Sequence, residues 1–316
     1  MKKYIVKRLL STIPILFIVS IVIFYIVHLT PGDPARVILG EGATEEAVNN
    51  LRESMGLNDP VLVQYVKWVA DVFRGDLGTS YAMNKPVSEV IGEHIIPTLN
   101  LAGMSLIITI IIAIPLGIFA AKKRGTAVDN GATFFSLLGI SVPNFLMGLF
   151  LVLIFSVKLN LLPVAGYKTV AEDGFWTHFR YLILPSVALG FEQAALITRM
   201  TRASVLEVLN CDYIKMAKAK GVKDFSLTVK HALHNALLPI ITVVGQSFII
   251  LLSGATVVET IFNIPGVGAL IVNSIERRDY EVIQGIVLVI TLINVFVNLL
   301  VDLLYGLADP RIRLQD

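Results

Sequence analysis

Six long apolar stretches alternate with polar ones along the chain, at about 9–29, 99–121, 130–157, 181–200, 237–258 and 282–304. Each is close to or beyond the roughly 20 apolar residues that cross a hydrocarbon layer as a helix. The pattern predicts an all-α membrane protein with six transmembrane helices. The first stretch follows Lys2, Lys3, Lys7 and Arg8, and no small-x-small cleavage site comes after it. It therefore reads as an uncleaved membrane helix, not as a secretory signal.

The polar segments have their own order. Thr30-Pro31-Gly32-Asp33-Pro34 stops the first helix, because each proline fixes φ and lacks a donor. Thr44 with Glu45 and Glu46 opens a short helix that Gly56 closes, and Asp59-Pro60 opens another that Gly75 closes. In the latter, Val61, Leu62, Tyr65, Trp68, Val69, Val72 and Phe73 make a broad apolar face. Residues 31–96 are thus a small helical outer domain, either a docking surface or a lid packed on the helices.

Polar residues inside the apolar stretches are the candidates for function. Pro143 and Asn144 interrupt the third stretch, a break tolerated only against protein or a water-filled cavity. They line a pathway or a partner interface, or else mark a kink needed for packing. Glu192 lies mid-way in the fourth stretch, where an acid faces a cavity, a partner or a structural hydrogen bond. Asn294, Asn298 and Asp302 repeat every four residues in the sixth. That stripe faces a partner helix or the pathway. Ala113, Gly117 and Ala121 are spaced for close helix approach in the second. The run from Glu259 to Gly268, rich in Gly, Pro and apolar residues, predicts a tightly packed or re-entrant turn.

Residues 205–239 form a basic island carrying Lys215, Lys218, Lys220, Lys223 and Lys230. Leu206, Leu209, Tyr213 and Met216 recur at helical spacing. Gly221 is placed to end that helix and Asp224 to cap a second, with Phe225, Leu227, Val229, Ala232 and Leu233 as its apolar set. Helix, glycine turn, helix makes a compact knob for a soluble partner, or an amphipathic loop on the lipid surface.

Composition sharpens this. The 316 residues are 55% hydrophobic and 16% charged, against about 25% charged in soluble domains, so the chain is a membrane protein. A net charge of +2 gives no reason to expect nucleic acid. Lys and Arg concentrate before the first stretch, at Lys122-Lys123-Arg124, from Arg199 through the island, and at Arg311 and Arg313. The positive-inside rule then puts both termini and the island in the cytoplasm. Cys211 is the single cysteine, so no intrachain disulfide can form. No Gly-Lys dipeptide occurs, hence no phosphate-cradling loop of the Walker type. His231 and His234 are two ligands at most and do not make a metal site. A membrane-embedded enzyme would need a convergent acid, nucleophile or metal set, and none is legible.

Several motifs resemble one family. Lys215-Met216-Ala217 with Gly221 lies where the permeases of ATP-binding-cassette importers carry E-A-A and G, and His231 to His234 lies at the subsequent I-x-L-P. Ala217-Lys218-Ala219-Lys220-Gly221 and Lys230-His231-Ala232-Leu233 look like the dipeptide, oligopeptide and nickel branch. So do Thr30 to Pro34, the run Gly139 to Gly148, the run Glu259 to Gly268, and Tyr305 to Arg311. The resemblance implies a type-1 ABC importer permease fold. Its parts would be an N-terminal helix over 1–30, the extracytoplasmic segment 31–96, a permease core over 97–305 with its coupling loop at about 205–235, and a tail over 306–316. It implies ATPase-coupling roles for Asp212, Lys215, Ala217, Lys218, Ala219, Gly221, His231 and Leu233. The chain itself would bind no cofactor, with ATP and Mg on partner subunits. Expected partners are a second homologous permease, two ATPase subunits, an extracytoplasmic solute-binding protein and membrane lipid, with no nucleic acid. The expected place is a prokaryotic plasma (inner) membrane, and the expected cargo is di- or oligopeptides or, alternatively, nickel chelates. An ATP-independent secondary transporter is the rival of another class, and it would need ion-coupling residues at the midplane.

Overall fold

The structure, a computed structural model, describes residues 2–29, 33–40 and 42–308. The expected helix stop at Thr30-Pro31-Gly32 and the basic tail from Asp309 to Arg313 lie outside the described residues. Nearly everything else is helix. Four helices are long and apolar enough to cross a membrane: α5 (Val87–Lys122), α9 (Phe175–Leu209), the continuous helix Asp224–Ile261 and α14 over Tyr280–Leu303 of its Tyr280–Ala308 length. The helix Lys2–Leu29, α1, contributes a shorter apolar stretch, Thr12–Tyr25, among described residues.

The third apolar stretch departs from expectation. It is two helices, α6 (Ala127–Ser141) and α7 (Asn144–Leu151), the latter continuing through a π-helical turn, Val152–Lys158. The pair bends by 106° at Val142-Pro143, too sharply for one straight span. Proline disfavours helical geometry at the residue before it, and Val142 is accordingly extended. The other spans run past their apolar stretches at one or both ends, α5 by about three turns at its start. Apolarity sets where a helix meets lipid, not where its hydrogen bonding stops.

The chain forms two compact units, one holding residues 2–96 and 269–295, the other 97–268 and 296 onward. The first contains α1 and three short helices, α2 (Pro34–Leu39), α3 (Glu45–Ser54) and α4 (Val61–Phe73). Asp33 caps α2 through the Ala35 amide and pairs with Arg52 at 2.5 Å. Thr44 caps α3, accepting from the Ala47 amide at 3.3 Å. Gly56 and Gly75 end α3 and α4 with positive φ, and the next residue donates back to Arg52 and Asp71 respectively, as helix-ending glycines do. The expected cap of α4 is shifted: Pro60 is the N-cap residue, and Asp59 instead accepts from Lys67 at 2.6 Å. The α4 face also divides. Tyr65 and Trp68 pack on Phe24 of α1, with ring centroids at 5.3 and 5.8 Å, whereas Leu62 and Phe73 are exposed.

A two-residue antiparallel pairing joins β1 (Thr79–Ser80) to β2 (Lys85–Pro86). Ser80 donates to Asp279 at 2.5 Å and the Thr79 amide donates to Glu281 at 2.5 Å, which fastens the hairpin to the start of α14. Burial, and then the Glu281 carboxylate, push the Tyr81 phenol up to about 12.

In the second unit a short helix, α8 (Val170–Asp173), precedes α9, which is the axis. Of its most apolar window 67% is buried, against 33% in α5 and 28% in the helix Asp224–Ile261. Small residues let neighbours close on it. A Cβ at Gly117 would meet Thr198 and Thr201 at 2.7 Å, and one at Gly139 would strike Ala195. Ala113 and Ala121 are buried on the same side of α5, so the predicted small-residue stripe is the α5–α9 contact.

Candidate functional site

The basic island leaves the end of α9 as α10 (Asp212–Ala219), after a break at Asn210-Cys211. Gly221 stops α10 at φ +79°, the left-handed region that costs other residues a Cβ clash. Its amide donates to Lys218 at 3.0 Å and the Val222 amide donates to Ala217 at 3.2 Å. Ala217 and Val222 then pack on a small core of Ile214, Leu227 and Ala232. The chain turns into α11 (Asp224–Ser226), a π-helical turn (Leu227–Leu233) and α12 (His234–Ile261), all one continuous helix. The second half of the knob and a membrane span are therefore the same rod.

The glycine stop is as the sequence predicts, and the helix faces are not. The break at Asn210-Cys211 shifts the phase, so Ile214 is buried while Tyr213 and Met216 stand 44% and 59% exposed. The second apolar set also divides, because Phe225 and Leu227 are two residues apart and so sit about 200° apart round a helix. Leu227 and Ala232 go inside, and Phe225 is left 77% exposed. Nor does Asp224 cap its helix: Lys223 is the N-cap residue, and Asp224 pairs with Lys122 at the end of α5.

The eight residues assigned to coupling share this knob. Asp212 and Lys215 are exposed and paired at 2.8 Å. Lys218, Ala219 and Gly221 are exposed, and Ala217, His231 and Leu233 are half-buried. Leu233 reaches the core of Ala121, Val205, Ala236 and Ile240, where α5, α9 and α12 meet. The knob thus offers solvent a surface of lysines interspersed with Tyr213, Met216 and Phe225.

The pathway candidates differ in their exposure. Pro143 is exposed at the bend and Asn144 is half-buried at the start of α7. Glu192 is exposed in mid-α9 and makes no hydrogen bond among the described residues, so the expected structural bond is not found. Its neighbour Gln193 is the buried one. The α14 stripe is likewise split. Asn294 is half-buried with Oδ1 enclosed and without a hydrogen-bond partner, Asn298 is exposed and Asp302 is buried. Four residues is more than one helical turn, so each step walks about 40° round the helix.

Three ties escaped the sequence reading. Glu259, at the end of the α12 rod, is fully buried and accepts from the Thr98 hydroxyl at 2.6 Å. Thr98 in turn accepts from the Val267 amide at 2.8 Å, at the start of α13 (Val267–Glu276). Cβ atoms at Gly266 or Gly268 would fall on the Glu259 carboxylate, which is why glycines flank that turn. The second tie is Asp129 of α6, gripped by Arg202 of α9 through both carboxylate oxygens and by the Gly125 amide. The third is Lys122 with Asp224. An acid beside two glycines in an apolar run was a usable signal for the first. Partners separated by 73 and 102 residues leave no local signal.

Residues 113–314 match the family described as binding-protein-dependent transport system inner membrane component, and residues 1–102 match its N-terminal companion family. The chain belongs to this inner membrane component family. The chain is 44% identical over 310 residues to the probable peptide ABC transporter permease protein y4tP of Sinorhizobium fredii, covering 98% of this chain and 99% of that one. It is 41% identical over 313 residues to the glutathione transport system permease protein GsiC of Shigella flexneri, covering 99% of each. A solved amino acid ABC transporter chain aligns at a TM-score of 0.49 and 15% identity, over 69% of this chain and 93% of its own length. As an inner membrane component, the chain is a multi-pass membrane permease of an importer and not its catalytic subunit.

Proposed function

We propose that this chain is a translocation-pathway subunit of an ATP-driven importer of di- or oligopeptides. It pairs with a second homologous permease, meets two ATPase subunits through the knob, and receives solute from an extracytoplasmic binding protein. ATP and Mg are held by the ATPases. Both termini and the knob face the cytoplasm, in line with the positive-inside distribution of Lys and Arg. The observation that carries the reading is the knob itself. A glycine-stopped helix exposes Tyr213 and Met216 among lysines, and the helix after the glycine exposes Phe225 and continues without interruption into a membrane span. Motion imposed on that surface by ATP-driven closure passes straight to the transmembrane helices. The peptide class is supported by the relatives, which are named for peptide and glutathione transport.

The test has two arms. Mild-detergent purification of the tagged chain, with intact mass of its companions, is expected to recover a second permease and ATPase subunits. The recovered assembly in proteoliposomes, with its binding protein, is expected to accumulate labelled peptides only with ATP. Accumulation by the isolated chain without ATPases would overturn the coupling reading. ATP-dependent uptake of a different solute class would overturn the peptide assignment alone.

A further inference from the structure

A cavity of about 320 Å³ lies at the end of α9 remote from Arg199 and Arg202. One wall is the segment Asn160 to Pro163, and the other is the first turns of α9, with Trp176, Arg180 and Tyr181. The first wall is fixed in advance. The Leu161 amide donates to Phe155 at 2.8 Å, Ser156 donates to the Pro163 carbonyl at 3.1 Å, and Asn160 holds the left-handed turn at φ +51°. Arg180 is exposed and donates through one nitrogen to the Leu161 carbonyl at 3.0 Å. That contact aims the guanidinium at the cavity and leaves most of its N–H donors for another acceptor. The lining includes a cation and no carboxylate.

The rim is apolar. Leu159, Leu161, Phe175 and Trp176 are each more than half exposed. Trp176 stacks on Phe179 with centroids at 5.6 Å, which holds the indole in place. The apolar run of α9 begins at Tyr181, directly below. An aromatic cluster and one arginine at the end of a membrane span stand at headgroup level, where amphipathic rings concentrate. A guanidinium fork matches a phosphate's oxygens, and exposed leucine and aromatic surface beside it matches acyl chain.

We propose that this cavity is a binding site for a bilayer phospholipid, its phosphodiester on Arg180 and its acyl chains along Leu159, Leu161 and Trp176. The site holds the outer start of α9 at a fixed depth. It depends on the chain being a membrane protein and not on what it transports.

The experiment uses the assembly purified with its partner subunits, stripped of native lipid and titrated with defined lipids by native mass spectrometry. The probes are dioleoylphosphatidylglycerol and dioleoylglycerol, which share tails and differ in the phosphate. Wild type is expected to prefer the phospholipid by roughly tenfold or more, the scale of charge-assisted hydrogen bonds. Arg180→Gln should bring that preference to about one, and Arg180→Lys should keep part of it. Trp176→Ala should weaken both lipids alike. Should Arg180→Gln fail to fold, Arg180→Lys carries the preference comparison, and an undiminished preference in it overturns the proposal. Equal binding of the two probes by wild type, or an unchanged preference in both Arg180 variants, overturns the proposal. So does displacement of the phospholipid by millimolar inorganic phosphate, which would make this a free-anion site. Lipid held by the separated chain and excluded from the assembly also overturns it, since a second subunit would then cover the cavity.

Discussion

Thr98 and Glu259 are joined by a 2.6 Å hydrogen bond in which the threonine donates, while the same hydroxyl accepts the Val267 amide at 2.8 Å. One hydroxyl thus ties α5, the end of the α12 rod and the start of α13. Thr98→Val keeps the shape and leaves that amide and that carboxylate oxygen without the threonine. A buried group left unpaired costs about 1–3 kcal/mol. The expected result is a melting midpoint several degrees lower in the purified assembly. Thr98→Val and Glu259→Gln together should cost less than the sum of the two, with a coupling of about 0.5–3 kcal/mol. Strict additivity would show that the two residues act separately.

Gly268→Ala is expected to reduce folded yield sharply. Its Cβ would lie 2.5 Å from the Thr256 Cα, a backbone atom that cannot swing aside. Gly103→Ala is the control. Its Cβ meets nothing within 4 Å, and alanine favours helix over glycine by about 1 kcal/mol. Fluorescence-detected size exclusion of the two variants side by side should show loss in the first and equal or better yield in the second.

Gly221→Pro should abolish ATP-dependent uptake while the chain still inserts in the membrane. Proline locks φ near −65°, where this position needs +79°, and it removes the N–H that Lys218 accepts. The damage is confined to the exposed knob. Uptake at the wild-type rate would remove the knob from the coupling path.

Two ion pairs, Asp129 with Arg202 and Lys122 with Asp224, should differ greatly in weight. Asp129 is 7% exposed at its side chain and is held at both oxygens, whereas Asp224 is 74% exposed. An enclosed pair held at both oxygens is worth more than an exposed pair, which contributes about 1 kcal/mol at most. Asp129→Asn should therefore lower the melting midpoint far more than Asp224→Asn. Equal effects would show that the Arg202 contact carries no special load.

The glycines carried the most legible information. Gly56, Gly75 and Gly221 each end the helix that their spacing predicts, because a left-handed stop is a local backbone demand. Long apolar stretches likewise located the membrane helices to within a few turns. What failed was phase. The face drawn through Tyr213 and Met216 assumed an unbroken 3.6-residue period. A break at Asn210-Cys211 rotates the side chains beyond it about the helix axis, and Phe225, two residues before Leu227, does not share the face of Leu227 in any regular helix. The bend at Val142-Pro143 was visible as a proline, and its size was not, because the angle depends on what α6 and α7 pack against. The Asp129–Arg202 pair was hidden for the plainest reason: its halves meet only once the chain has folded.

Glu192 has a consequence for the cell as well as for the site. It stands exposed near the middle of α9, the helix otherwise most enclosed. Left facing hydrocarbon, a charged side chain at that depth costs roughly 3 kcal/mol on insertion scales. A newly made chain without its companions would carry that cost uncovered. Expressed alone, it should be short-lived, and Glu192→Leu should lengthen its half-life in that setting. Subunit stoichiometry would then be enforced by degradation of the surplus, with a single carboxylate as the mark.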